Sequence, residues 1–262
     1  MPDLETVSNL AAEAGLGRAS MIIRRVDAPG VRVGIAPEQA LYPASMIKTP
    51  LVAAALAEVE AGRLELDRGI DVTEANVTWN DAPSPLQPGY RAELSEICNL
   101  AISRSDNVAT NMLFDVVGRE RATQIVQTRF ALANTAFYRK LSGSDPLIVD
   151  PQWDGTHRNT HSPADAARLF ELIALDQVPY ADLLRAALAE QYWNDKLTTG
   201  LRDGDRFAHK TGDTSEVTHD GGILTTAKGN NTYIIVVYSG LPSTDVNNAR
   251  FGAFMRNVRA SL

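Results

Sequence analysis

The stretch Ser45-Met46-Ile47-Lys48 decides how the rest of this sequence is interpreted. It precedes an apolar, alanine-rich run at 49–56 that stops near Gly62, and this composition is typical of a helix. We therefore expect Ser45 in the first turn of that helix, where free N–H groups favour a developing anion. Because residues three apart share a helix face, the amine of Lys48 should reach the Ser45 hydroxyl as a base reaches its nucleophile.

A serine three residues before a lysine occurs by chance in many helices, so this pair alone is a weak indication of catalysis. Two later segments support the catalytic interpretation. One is Ser105-Asp106-Asn107, a polar triplet between two apolar helical segments, and the other is Lys210-Thr211-Gly212 in the strand-rich C-terminal region. Taken singly, Ser105 or Asp106 would be interpreted as a helix N-cap. Together and in this order, the three motifs resemble those of class A β-lactamases and penicillin-binding proteins.

The resemblance covers nearly the whole chain and implies four catalytic residues. Ser45 would be the nucleophile that forms an acyl-enzyme, and Lys48 would accept its proton, because a serine hydroxyl is a poor nucleophile until its proton is removed. Ser105 would relay that proton to the departing nitrogen or oxygen. Lys210 would help this relay or bind a substrate carboxylate.

The resemblance also implies four substrate-binding residues. Asn107 would hold a substrate amide, and Thr211, like Lys210, would bind a substrate carboxylate or help the relay. Gly212 would allow the backbone to approach the ligand closely. The N–H groups of Ser45 and Asp213 are the expected donors to the oxyanion of an acyl transfer. No metal and no cofactor are implied.

One departure from the family concerns the release of the acyl group. Class A β-lactamases carry an Arg-x-Glu pattern in their omega loop, whereas this chain has Arg139-Lys140-Leu141, which puts Leu141 in the place of the glutamate. Leucine cannot move a proton. We favour Lys48 as the base of both acylation and deacylation. The alternatives for deacylation are a loop acid or histidine at Asp145, Asp150, Asp154, His157 or His161.

A second departure concerns the carboxylate pocket. Many relatives place an arginine on the strand after Lys-Thr-Gly or at the start of the last helix, but the segment 217–222 contains none. Arg250 in the final helix either reaches across the cleft or is an ordinary surface residue. Binding of anionic penicillins is therefore less assured than acylation.

Composition favours a small-molecule enzyme. The chain has 262 residues, 44% of them hydrophobic, and a net charge of −7 without a long basic run, which argues against nucleic acid as a partner. The single cysteine, Cys98, excludes an internal disulfide and is expected to be a buried, inert side chain. We expect a monomer that acts on a β-lactam, ester or peptide-like small molecule and has no membrane partner. No signal peptide is recognised, so the chain as given is expected in the cytoplasm, or in a secreted or periplasmic location if a leader has been removed.

Hydrophobic patterning predicts an α+β fold. Helical periodicity dominates the middle of the chain, whereas β-branched runs lie at 20–26 and 31–35 and again at 206–210, 222–226 and 232–238. Strands at both chain ends are expected to form one antiparallel sheet flanked by the terminal helices. The expected domains are an α/β lobe made of 1–40 and 195–262 and an all-helical lobe made of 41–194, with the active site in the cleft between them.

The sequence therefore predicts a serine hydrolase that forms an acyl-enzyme at Ser45 with a β-lactam and releases it slowly. An esterase or D-alanyl carboxypeptidase with the same Ser/Lys site is the second hypothesis. A third, from a different class, is a penicillin-binding protein without catalytic turnover.

Overall fold

The computed structural model describes residues 1–28, 30–143, 146–227 and 231–262. Pro29, which we placed in a turn, and Asp145, one of the candidate bases, lie outside the described residues. Within these ranges the chain forms eight α-helices and seven β-strands. The strands in chain order are β1 (Ser20–Arg25), β2 (Arg32–Ile35), β3 (Gly69–Asp71), β4 (Arg91–Glu93), β5 (Arg206–Asp213), β6 (Thr218–Thr225) and β7 (Thr232–Ser239).

Most of the helices lie between the two groups of strands. In chain order they are α1 (Leu4–Glu13), α2 (Lys48–Glu60), α3 (Leu94–Ser103), α4 (Asn107–Val117), α5 (Arg119–Arg129), α6 (Pro163–Ala174), α7 (Ala181–Ala189) and α8 (Asp245–Ser261). Polar N-caps start several of them: Asp106 accepts the N–H of Ala109 at 2.9 Å before α4, and Ser162 accepts that of Asp165 at 3.1 Å before α6. No helix in the described ranges has the length and apolarity needed to cross a bilayer.

One antiparallel sheet joins the two ends of the chain in the order β2-β1-β7-β6-β5. Its side chains alternate between two cores, as the pleat of a strand requires. Ile22 and Ile234 face a core shared with the central helices, whereas Ile23 and Ile235 face a second core with α1 and α8. Gly222 is required by this pairing, because a Cβ there would lie 2.2 Å from the Ala208 carbonyl oxygen on β5.

Helix α2 runs through the first of these cores, with every residue except Glu60 buried. This explains why its sequence is almost uniformly apolar and lacks one polar face. Cys98 on α3 is fully buried, and burial raises the pKa of its thiol to about 12. The interpretation of Cys98 as a buried, inert side chain therefore agrees with the structure.

Three local predictions were inaccurate. Ser45 lies in a 3₁₀ turn, Ala44–Ile47, and the α-helix starts only at Lys48. Strand β6 begins at Thr218, four residues before the predicted run. The pairing of β3 with β4 was missed, because three-residue strands are too short to show alternation and lie in a proline-rich segment that we interpreted as a loop.

Candidate active site

A cavity of about 810 Å³ brings together the predicted motifs. Ser45 enters it from the 3₁₀ turn, and Ser105 and Asn107 enter from the start of α4. Thr211 and Asp213 line it from β5. Segments more than a hundred residues apart in sequence therefore converge on one site. Among the described residues, the predicted hydrogen bond between Lys48 and the Ser45 hydroxyl is not formed, because the Lys48 amine donates to Ser105 and Asn107 instead.

Lys48 is fully buried beneath this cavity. Its Nζ donates to Asn107 Oδ1 at 2.8 Å, to Ser105 Oγ at 3.2 Å and also to the Ser105 carbonyl oxygen. Burial lowers the pKa of Lys48 from 10.5 to about 7, although the nearby charges of Asp106 and Asp81 act to raise it. An amine with such a pKa is uncharged in a large fraction of molecules at neutral pH, so it can accept a proton.

Two residues beside the hydroxyl groups adopt left-handed backbone conformations. Ala44, directly before Ser45, has φ of 47°, and Ser105 has φ of 57°. For residues other than glycine this conformation costs about 1 kcal/mol or more. The surrounding contacts hold both segments there, which fixes the direction in which the two serine side chains leave the backbone.

Asn107 is oriented by a loop that the sequence did not single out. Its Nδ2 donates to the Trp79 carbonyl oxygen at 2.9 Å, and its backbone N–H donates to Asn80 Oδ1 at 2.6 Å. Asn80 in turn donates to Asp106 Oδ1 at 3.2 Å. With its Oδ1 on Lys48 and its Nδ2 on Trp79, the amide of Asn107 has a fixed orientation.

In the Lys210-Thr211-Gly212 motif on β5, Thr211 lines the cavity, whereas Lys210 and Gly212 are buried and do not line it. Lys210 is fully buried and donates from Nζ to the Thr211 carbonyl oxygen at 3.0 Å. Burial, followed by the charge of Lys48, lowers the pKa of Lys210 well below its ordinary value. A Cβ at Gly212 would lie 2.8 Å from the Pro43 carbonyl oxygen. Gly212 therefore allows β5 to pack closely against the turn that carries Ser45, as well as allowing a ligand to approach the backbone.

Asp213 and Lys196 form an ion pair at one end of the cavity, which the sequence analysis did not predict. Lys196 Nζ lies 2.8 Å from Asp213 Oδ2, and the lysine side chain is only 1% exposed. Asp213 Oδ1 accepts hydrogen bonds from Ser243 Oγ at 2.6 Å and Thr218 Oγ1 at 3.0 Å. Burial alone would raise the pKa of Asp213, but Lys196 and these hydroxyls outweigh it and hold the pKa below its ordinary value.

Leu141 forms part of the cavity wall. Its backbone is held by the buried amide of Asn111, which accepts the Leu141 N–H at 2.8 Å and donates to the Leu141 carbonyl oxygen at 2.9 Å. Farther along, a Cβ at Gly143 would lie 2.3 Å from the Trp79 carbonyl oxygen, so the loop packs directly on the segment that orients Asn107. These contacts hold an apolar side chain in the wall of the cavity that Ser45 and Ser105 also line.

The alternative bases have partners elsewhere. Asp150 pairs with Arg119 at 2.5 Å, and Asp154 bonds to His157 at 2.5 Å, which helps to lower the pKa of Asp154 to about 2. His161 is buried against a threonine hydroxyl, and burial lowers its pKa to about 3. Within the described residues, none of these four acids and histidines lines the cavity.

Arg250 lies outside the cavity as well. Its Nη1 donates to the Gly15 carbonyl oxygen at 2.9 Å, at the end of α1. The position of Arg250 agrees with its interpretation as a surface residue and not with its interpretation as a residue that reaches across the cleft. Among the described residues, the cations that line the cavity are Arg139, Lys140 and Lys196, and Lys196 is already paired with Asp213.

Comparison with known proteins agrees with the predicted family and fold. The β-lactamase enzyme family model matches residues 4–258. A β-lactamase of Rhodobacter capsulatus is 29% identical over 163 residues, which are 60% of this chain and 52% of that protein. The β-lactamase VEB-1 of Pseudomonas aeruginosa is 22% identical over 221 residues, covering 79% of this chain and 72% of that protein.

Solved structures show the same architecture. PBP-A superimposes with a TM-score of 0.84 at 24% identity, covering 99% of this chain and 97% of PBP-A. A PBP-A variant with leucine replaced by glutamate has been solved as an acyl-enzyme complex with penicillin G. An ancestral class A β-lactamase superimposes with a TM-score of 0.83 at 24% identity, covering 99% of each chain. The predicted α+β class and the class A β-lactamase fold are therefore confirmed. A protein of this class is a serine hydrolase of the penicillin-recognising type. The chain belongs to the β-lactamase enzyme family.

Proposed function

We propose that this protein forms an acyl-enzyme at Ser45 with a small cyclic amide or ester, with β-lactams as the first candidate substrate class. The observation that carries the proposal is the position of Lys48, a buried amine with a lowered pKa that is bonded to Ser105 and Asn107 beneath a cavity lined by Ser45. Such a cluster suits the activation of a serine hydroxyl. The cavity would lie between the α/β lobe, 1–40 and 195–262, and the helical lobe, 41–194.

In the first half-reaction, Ser45 Oγ attacks the substrate carbonyl while neutral Lys48 accepts its proton. Ser105, in hydrogen-bond contact with Lys48, passes a proton to the departing nitrogen or oxygen. Lys210 assists this transfer, since its lowered pKa makes a proton relay a better role than a permanent cation. Thr211 contacts the polar end of the substrate.

The oxyanion that forms would be held by the N–H groups of Ser45 and Asp213. Strand β5 is the outer strand of the sheet, so alternate N–H groups along it are not used by a neighbouring strand. Gly212 packs this strand against the turn of Ser45, which supports the expectation that the two donors lie on either side of one carbonyl. Losing one such donor typically costs about 3 kcal/mol of activation free energy. Asn107 would hold the substrate amide.

Release of the acyl group would be slow. Leu141 occupies the cavity wall without a group that can activate water, and the loop acids and histidines discussed above have other partners. Among the candidate bases that the structure describes, we favour Lys48 for both acylation and deacylation. PBP-A shares the fold, and its leucine-to-glutamate variant holds penicillin G as an acyl-enzyme, so penicillin G is a suitable first probe.

Intact-mass measurements after mixing with penicillin G and with an activated ester distinguish the candidate functions. A transient penicillin adduct supports the slow β-lactamase, whereas a permanent one supports a penicillin-binding protein without turnover. Ester turnover without an adduct supports an esterase or a D-alanyl carboxypeptidase.

Replacing the proposed nucleophile tests the common element of all three candidates. Ser45→Ala should abolish covalent labelling by either probe. Ser215→Ala is the matched control, because Ser215 lines the same cavity on its exposed side and has no role in the proposed chemistry. Labelling that persists in Ser45→Ala would exclude Ser45 as the nucleophile.

A further inference from the structure

The end of the cavity formed by β5 contains a complete anion-binding arrangement. A buried ammonium, from Lys196, and two hydroxyls, from Ser243 and Thr218, converge on one carboxylate. Charged and neutral donors in this combination are a strong anion-binding set. The anion that they bind belongs to the protein itself, because it is the side chain of Asp213.

Asp213 lies between these donors and the open cavity. The Lys196 side chain is 1% exposed, whereas that of Asp213 is 30% exposed. A ligand in the cavity therefore meets the carboxylate of Asp213 before it can meet the ammonium of Lys196. The backbone N–H of Asp213 is also one of the two proposed oxyanion donors. The Asp213 carboxylate therefore lies only one side-chain length from that donor.

Side chains of both charges line the cavity: Arg139 and Lys140 are cations in its wall, and further carboxylates lie beside Lys196 and elsewhere. Asp195 lines the same end and lies 3.8 Å from Lys196, and Asp81 lines the cavity near Asn107. The two lysines beneath the cavity, Lys48 and Lys210, have lowered pKa values and carry less positive charge than surface lysines. A ligand carboxylate at this place would face like charge in a partly desolvated site, which is unfavourable.

We infer that Asp213 fills the anion subsite of the cleft from within, so that the acyl donor of this protein carries a neutral or cationic group, and no carboxylate, beside its scissile carbonyl. The inference deepens the proposed function, on which it rests for the placement of the acyl donor in this cavity. It narrows the substrate class from β-lactams and esters in general to those without an anionic group at this point.

Penicillin G and its methyl ester test this inference, because they differ only at the carboxylate. Equilibrium binding of both is measured by calorimetry with the Ser45→Ala protein, in which no acylation interferes. The methyl ester should bind more tightly than the free acid, with a ratio on the order of tenfold. Acylation of the unaltered protein should show the same preference in intact-mass time courses.

Two variants assign the preference to the ion pair. Asp213→Asn keeps hydrogen-bonding atoms for the two hydroxyls but frees the ammonium of Lys196, so it should reverse the preference in favour of the free acid. Asp195→Asn removes the same charge from the same end of the cavity and leaves the ion pair intact, so it should keep the preference for the ester.

The outcomes separate this inference from the proposed function. Free acid that binds the Ser45→Ala protein as tightly as the ester overturns the inference, whether or not Asp213→Asn folds. An ester preference in Asp213→Asn equal to that of the parent also overturns it. A preserved binding preference without any acylation of the unaltered protein overturns the proposed function and supports the inference.

Discussion

The pH dependence of acylation follows from the burial of Lys48. If this amine accepts the Ser45 proton, only its neutral form is active, and the acylation rate must follow the neutral fraction. Burial lowers the Lys48 pKa from 10.5 to about 7. The rate should therefore rise about tenfold per pH unit below pH 7 and become constant above about pH 8.

The size of the effect can be worked out from that pKa. At pH 7 about half of the Lys48 side chains are neutral, compared with roughly three in ten thousand for a lysine of ordinary pKa. Each pKa unit corresponds to about 1.4 kcal/mol, so the fold disfavours the protonated form by about 5 kcal/mol. Between pH 7 and 10.5 the unfolded chain binds a proton that the folded protein does not, so the contribution of Lys48 to the free energy of unfolding rises with pH across this window.

The assay is the second-order rate of adduct formation with penicillin G methyl ester, followed by intact mass from pH 5.5 to 9 with circular dichroism as the control for folding. Asp81→Asn is the informative variant, because the charge of Asp81 raises the pKa of Lys48. Its removal should move the midpoint of the profile to lower pH by about a few tenths of a unit, as expected for a solvent-screened charge. A rate that is independent of pH, or that falls as pH rises, would refute the role of Lys48 as base.

Two further predictions concern the loop and the sheet. Leu141→Glu should accelerate loss of the penicillin adduct on the order of a hundredfold, which is the lower end of the rate increase that a general base provides. An unchanged adduct lifetime would argue against the alignment of this loop. Gly222→Ala should lower the free energy of unfolding by about 3 kcal/mol, the upper end of the usual cost of overpacking a core. The reason is that the new Cβ would lie 2.2 Å from the Ala208 carbonyl oxygen. Gly240→Ala, where a Cβ has no neighbour within 4 Å, is the control, and equal melting temperatures of the two variants would contradict this reasoning.

The sequence was sufficient to locate the three motifs, because each is a short polar segment with an apolar helix or strand beside it. The period-two runs at 206–210 and 232–238 likewise identified the sheet. Resemblance to a known family then supplied what pattern alone could not, which was that Ser45, Ser105 and Lys210 belong to one site. Ser45 and Ser105 line one cavity, and Lys210 is buried close enough to Lys48 for their charges to interact, which are properties of the tertiary fold.

Residues that act through distant partners could not be predicted. Lys196 had no motif around it, and its importance depends on Asp213, which lies on a strand. Asn111 is a polar residue on the buried side of α4, a position that pattern analysis treats as an anomaly, and only the fold reveals that it holds the Leu141 backbone. The Trp79-Asn80 segment lies in a proline-rich stretch without periodicity, so its contact with Asn107 was equally hidden.

The pairing of β1 with β7 has a consequence for how the chain is made. Ser20 is the partner of Tyr238 in this ladder, so the first hairpin has an open edge until more than two hundred further residues have been synthesised. At ribosomal rates of about 5–20 residues per second, this delay is on the order of ten seconds or more. During that time the apolar strand β1 is available to other nascent chains, and a chaperone that shields it should raise the yield of folded protein.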